Sequence, residues 1–308
     1  MIKKVILAIF ILGILGIAGF TLYENLPQSP IYLNEDEIVP DEVAIIKYGA
    51  TPVFAENLRF NHNNISYLIE SSCSETRRNS MLEAFEIFEK EMEIINFYEV
   101  NNEADIEVGC SDDYISVGEN LFAAGEGGPS RIINTSGFKV IEKGKIWLYD
   151  DQRCDYPIVE LHELLHVFGF DHTENPSSIM YNTSKCNQKM TSDMIQLIRE
   201  LYSIEPRADI LIENLTAVKK GKYLDFNITV LNEGLLDAEN VTLTLIADGE
   251  EFQNINMKEL GVGYGRNLEV TNSKLPSLKS EEIIFALDYN NLIEEFSESN
   301  NIRKMIVS

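Results

Sequence analysis

The chain has four histidines in 308 residues, and three of them fall within "HELLHVFGFDH", residues 162–172. Residues four apart on a helix stand on one face, one turn above the other. His162 and His166 can therefore aim two imidazole nitrogens at a single atom. His172, six residues further, would face away if the helix ran on straight, so the chain has to turn after His166. Gly169 is the residue there that can take the positive φ that ends a helix. A third imidazole brought round from a loop gives three nitrogen ligands and leaves one position open. That is the arrangement of a catalytic zinc and not of a closed structural one. Glu163, beside the first histidine, is placed to act on a water at the open position. A lone histidine on an apolar helix reads as packing, but this full pattern does not.

The stretch has the HExxHxxGxxH form and resembles the metzincin zinc endopeptidases. Their Met-bearing turn beneath the metal has a counterpart in "SSIMY" (177–181), which makes Met180 the matching residue. Thr173 after the third histidine and Tyr181 directly after the methionine resemble the matrixin branch. The resemblance implies one catalytic Zn2+ on His162, His166 and His172, with Glu163 as general base in peptide-bond hydrolysis. It also departs from the family. The one spare histidine, His62, cannot form the second histidine cluster that holds the matrixins' structural zinc, and reads as a solvated loop residue. Matrixin pro-segments silence the zinc with a cysteine thiolate, and residues 24–55 contain no cysteine.

Those acidic, proline-punctuated residues read as a stalk or pro-segment (23–55). Before them, two lysines (Lys3, Lys4) precede an uncharged run from Val5 to Leu22. Residues 1–22 are expected to be a membrane anchor with the bulk of the chain outside the cell, or a signal segment that leaves a secreted protein if cleaved. Six N-x-S/T sequons, at Asn64, Asn134, Asn182, Asn214, Asn227 and Asn240, permit glycosylation there. A formal net charge of −25 excludes a nucleic-acid partner, since no basic stripe offsets it.

Residues 56–204 follow the order of an α+β protease domain, a twisted mixed sheet with three helices. "ISYLIE" (65–70) reads as a first strand. A helix from about Thr76 carries Met81, Phe85, Phe88 and Met92 on one core-packing face. "INFYEV" and "ADIEVGC" read as short strands. The glycine-rich "AAGEGGPS" (123–130) is expected to be a flexible loop at the cleft edge, and "FKVIEKGKIWLY" a strand pair. The zinc helix is expected from about Tyr156, and a last helix from Thr191. All four cysteines lie in this region, and an exported location permits disulfides. Cys73 precedes the long helix and Cys110 ends a strand beside it, while Cys154 and Cys186 bracket the zinc helix and the Met turn. The expected pairs are Cys73–Cys110 and Cys154–Cys186. Asp112, Asp113, Asp150 and Asp151 leave calcium open but unsupported.

From residue 207 to 308 the pattern alternates with period two and contains no histidine or cysteine, which predicts an all-β, immunoglobulin-like sandwich. "NEG" (232–234), "NVTLTLIADG" (240–249) and "LDYNNLIEEFSESNN" (287–301) resemble the CARDB type of cell-surface adhesion module. The function expected from the whole is a membrane-anchored extracellular zinc endopeptidase acting on protein or peptide, with a surface protein or glycan as the partner open to the sandwich. Two alternatives stay open. One is an inactive cell-surface adhesion protein, against which the intact Glu163 counts. The other is a zinc hydrolase of non-peptide amides or esters.

Overall fold

The computed structural model describes residues 30–32, 34–35, 50–113, 115–118, 121–149 and 154–306, together with Ile14 and Ile17. No helix among the described residues is long and apolar enough to cross a membrane, and nearly all of the expected anchor lies outside them. Two compact units emerge, one of residues 43–207 with 234–236, the other of residues 208–233 and 237–308 with the segment up to residue 42.

The stretch read as a stalk or pro-segment supplies two short strands to the second unit, β1 (Pro30–Tyr32) and β2 (Asn34–Glu35). The first unit is a mixed sheet with three helices. Its chain order is β3 (Leu58–Arg59), β4 (Asn64–Ile69), α1 (Glu75–Met92), β5 (Asn96–Glu99), β6 (Ile106–Cys110), β7 (Ser116–Gly118), β8 (Leu121–Phe122), β9 (Gly125–Asn134), β10 (Lys139–Leu148), α2 (Ile158–Val167) and α3 (Ser192–Tyr202). β10 pairs in parallel with β3 and β6, and β6 continues through β4 to β5. On the other side of β10 lies β9, the one antiparallel member, at the sheet edge.

Helix α1 starts where Ser74 accepts the Arg77 amide, a side-chain N-cap. Its stripe Met81, Phe85, Phe88 and Met92 is buried. Phe85 stacks on Tyr67 of β4 at 4.3 Å, and Phe88 lies 4.7 Å from Phe168 at the end of α2. One apolar face thus locks the sheet to α2. Buried Arg59 fastens α3, donating to the carbonyls of Leu201 (2.6 Å) and Ile204 (2.9 Å), which the helix end leaves without intrahelical partners.

Three expectations need correction. "FKVIEKGKIWLY" is one ten-residue strand, β10, and its partner is the glycine-rich segment itself, which is the strand β9 and not a flexible loop. The cause is close approach. A Cβ at Gly127 would run into the Glu163 carbonyl oxygen of α2, and one at Gly125 would stand 2.7 Å from Glu163 Cγ. Glycine is therefore required where a strand lies against a helix backbone, although it weakens strand propensity. Helix α2 also begins two residues later than expected.

The second unit is a sandwich. Strands β11 (Ile210–Lys220), β12 (Tyr223–Asn232), β13 (Ala238–Ala247), β14 (Glu250–Leu260), β15 (Gly265–Lys274), β16 (Glu282–Leu287) and β17 (Ile302–Ile306) follow in order. They form sheets ordered β1-β11-β12-β15 and β14-β13-β16-β17-β2, with every pairing antiparallel. Alternate residues fill the space between the sheets, among them Leu224, Phe226 and Ile228 facing Leu243, Leu245 and Phe285. Phe226 and Phe285 meet edge to face at 5.1 Å. Strands β1 and β2 add one edge to each sheet.

Buried among these strands is Glu295, 4% exposed. It accepts the Ile210 amide at 2.8 Å and the Asn301 carboxamide at 3.1 Å. Burial outweighs these bonds and pushes its carboxyl up to about 8. Burial raises Asp209 as well. The unfolded chain therefore releases the Glu295 proton first. The stability it confers is complete below 4.5, its ordinary value, and is lost as pH rises to about 8. The sandwich is expected to melt at a lower temperature at the top of that window than at the bottom. Glu295→Gln should reduce the difference, as read by calorimetry on the full chain at both ends. Equal slopes for variant and wild type would contradict this assignment.

Candidate metal centre

Helix α2 is buried almost all round, with Leu161, Leu164, Leu165 and Val167 inaccessible to solvent. This fixes its rotation about its own axis and so the direction of His162 and His166. The helix ends at Phe168, and Gly169 follows at φ 96°, the positive value that L-residues avoid. The turn returns His172 to the other two rings. The Nε2 atoms of the three histidines stand 3.0, 3.1 and 3.3 Å apart.

The separation between His162 and His166 is not a hydrogen bond. Nδ1 of His162 lies 2.6 Å from the Ile179 carbonyl and Nδ1 of His166 lies 2.7 Å from that of Phe170. A carbonyl only accepts, so each Nδ1 carries the proton and each of these Nε2 atoms presents a lone pair. Converging lone pairs repel unless a cation lies among them. Tetrahedral zinc with Zn–N bonds of 2.0–2.1 Å would set its nitrogens about 3.3 Å apart, so the triangle fits that ion. Burial pulls the His162 pKa down to about 4, with His166 and His172 adding to the effect against the Ile179 carbonyl. Burial lowers His166 too. Both rings are thus neutral and ready to ligate at physiological pH. Among the described residues no carboxylate or thiolate joins this group, which leaves a coordination position for water or substrate.

Glu163, 5% exposed, sits beside His162 on α2 and borders β9. Burial, then the nearby Glu126 and Glu160 carboxylates, push its pKa up to about 8 against a hydrogen bond from the Gly127 backbone. Met180 is completely buried. Its turn braces the centre through backbone atoms. The Ile179 carbonyl orients His162, and the Met180 carbonyl accepts the amide of Thr173, the residue after the third ligand, at 2.9 Å. The disulfide Cys154–Cys186 spans α2 and this turn with Cα atoms 5.3 Å apart, and Cys73–Cys110 ties the start of α1 to β6 at 4.8 Å.

Sequence reasoning missed a clasp on the third ligand's loop. Residues 51–54 lie along residues 169–171, with the Asp171 amide donating to the Pro52 carbonyl (2.8 Å) and the Phe54 amide to that of Gly169 (3.1 Å). The clasp is anchored in turn by Asp193 of α3, which accepts the Thr51 amide at 2.7 Å and the Thr191 hydroxyl. Nothing in the spacing of these residues advertises the contact. His62 stays apart from the centre, 3.7 Å from Asp105. Of the carboxylates considered for calcium, two are described. Asp112 pairs with Arg77 at 3.0 Å and Asp113 accepts the Ser111 hydroxyl at 2.8 Å, while Asp150 and Asp151 lie outside the described residues.

Residues 59–203 match the family model described as Matrixin, and residues 207–305 match the one described as CARDB. A matrixin-like domain is followed by a CARDB-type β-sandwich domain. The curated stromelysin-2 of Rattus norvegicus is 28% identical to this chain over 186 residues, covering 55% of this chain and 38% of that protein. The chain thus matches well under half of that relative's length. Among solved structures, the CARDB domain of a Pyrococcus furiosus protein is 17% identical, covering 33% of this chain and 94% of its own, with a TM-score of 0.25. A domain described as part of a cell surface protein of Methanosarcina acetivorans is 18% identical, covering 33% of this chain and 92% of its own, at a TM-score of 0.27.

The geometry of the matrixin domain separates ligand from clasp. His172→Ala, which removes one of three protein ligands, should cost most of the bound zinc. Asp193→Ala should leave all three ligands present but let the 51–54 segment loosen, weakening zinc by roughly tenfold, the low end for groups that orient ligands from behind. Competition with a chelator, read by metal analysis, checks both. Unchanged affinity in Asp193→Ala would show that the clasp does not position His172.

Proposed function

We propose that this chain is a membrane-anchored, outward-facing zinc endopeptidase. The observation that carries the catalytic part is the triangle of converging Nε2 atoms, those of His162 and His166 unprotonated, with Glu163 next to it on the same helix. The lysine-flanked uncharged run at residues 5–22 supports the anchor, and the matrixin match supports a peptide as substrate.

When bound, zinc supplies Lewis acidity to the substrate carbonyl and the attacking water. His162, His166 and His172 would hold it, and the hydrogen bonds at Nδ1 of His162 and His166 keep those rings from turning away. With the positive charge of bound zinc beside it favouring the ionised form, the Glu163 carboxylate takes the proton of the attacking water and delivers it to the leaving amine. Its carboxyl lies against the edge strand β9, whose second side pairs with no other strand among the described residues. An extended substrate adds its backbone to that edge and brings the scissile bond over Glu163. Gly125 and Gly127 set how closely strand and helix approach, and so the distance between substrate and base.

Two substitutions test the roles apart. Glu163→Ala should keep zinc and fold while losing about 100-fold or more in turnover of a peptide substrate, the range for a lost general base. Gly127→Ala should push β9 away from α2 and lower turnover with zinc content intact. Cleavage of denatured casein and of one peptide, with and without chelator, provides the readout. Wild-type turnover in zinc-replete Glu163→Ala would contradict the mechanism, and a wild-type protein that holds zinc but cleaves neither probe would contradict the function.

A further inference from the structure

The CARDB domain has a groove of about 490 Å3 on the outer face of its five-stranded sheet, within the size range of small-molecule sites. Its floor is β13, where Leu243 and Leu245 point into the core and the alternate residues Thr242 and Thr244 point outward. Residues 243–247 of β13 pair on both sides, with β14 and β16, and the Thr242 carbonyl takes the Asp288 amide. At Thr242 and Thr244 the floor offers its side chains to a ligand. Those side chains are already oriented. The Thr244 hydroxyl donates to Asn254 Oδ1 at 2.8 Å, and the Thr242 hydroxyl to the Asn240 carbonyl at 3.3 Å. With their protons committed, both hydroxyls face a ligand as acceptors.

The walls carry the same bias. Asp237 and Glu239 only accept when ionised, and no lysine or arginine lines the groove. At the rim, the turn after β16 displays Tyr289, half exposed, and Leu292, 82% exposed. That turn is held firmly, with Asp288 Oδ2 accepting the Ile293 amide at 2.7 Å and the Asp288 amide donating to the Thr242 carbonyl at 2.9 Å. An apolar shelf over an acceptor-rich floor suits a ligand with hydroxyl donors around its edge and a C–H face to lay on a ring. We propose that this groove, floored by Thr242, Thr244 and Asn254 and rimmed by Tyr289, binds a neutral saccharide. The carboxylates of Asp237 and Glu239 select against acidic sugars by like-charge repulsion.

The inference is independent of the zinc chemistry and is tested on the full chain. Isothermal titration calorimetry would compare maltotriose, cellotriose, mannotriose and chitotriose with trigalacturonate and trilysine. The expected result is saturable binding of at least one neutral trisaccharide, weakened about fivefold to tenfold in Tyr289→Ala, in line with one lost ring contact. Asn254→Ala should weaken it too, and Glu239→Lys should admit trigalacturonate. An unchanged melting temperature in Tyr289→Ala keeps the loss attributable to the groove. Absence of binding by all four neutral sugars, binding indifferent to Tyr289→Ala and Asn254→Ala, or a preference of the wild type for trilysine or trigalacturonate would each overturn the proposal.

Discussion

Two hydrogen bonds from imidazole Nδ1 to backbone carbonyls, His162 to Ile179 and His166 to Phe170, are the constraint on which the metal centre depends. They choose the tautomer, and the tautomer turns a group of close-set rings into a set of lone pairs with one common target. Each carbonyl comes from a segment that the fold has to place independently. Phe170 follows the Gly169 turn, and Ile179 belongs to the Met turn, whose own amide is bonded to the Lys189 carbonyl. The centre is therefore a convergence of helix, turn and loop, and any one of them out of place releases a ring.

The surrounding domain reads as a means of keeping those three pieces in register. The face of α1 that packs on Phe168 fixes the end of α2. Arg59 fixes the end of α3, and α3 in turn carries Asp193, which anchors the 51–54 clasp over the third ligand's loop. The disulfide between Cys154 and Cys186 closes the same circuit covalently. Glycines let β9 come within contact of α2, so the sheet edge and Glu163 lie side by side.

Much of this was legible in the sequence because it depends on local periodicity. The four-residue spacing of His162 and His166, the glycine after the helix and the stripe from Met81 to Met92 each declare a helical face or its end. The alternation of Leu243 and Leu245 with Thr242 and Thr244 declares a strand with two unlike sides. What stayed hidden was set by contacts between distant segments. Gly125 and Gly127 look like a loop because strand propensity counts against glycine, and the helix that requires them lies more than thirty residues on. The carbonyl of Ile179 has no signature in its side chain. Strands β1 and β2 are too short to show a pattern, and their pairing depends on edges formed by residues near the other end of the chain. The groove beside Tyr289 is likewise a property of the folded sheet.

The central claim is that three imidazole Nε2 atoms hold one zinc with a position left over. X-ray absorption at the zinc edge on the purified full chain tests it most directly. The account predicts three nitrogen neighbours at about 2.0–2.1 Å with the scattering pattern of imidazole rings, and a further light-atom ligand from solvent. A sulfur shell near 2.3 Å, the distance for a cysteine ligand, or fewer than three imidazoles on the metal would contradict it.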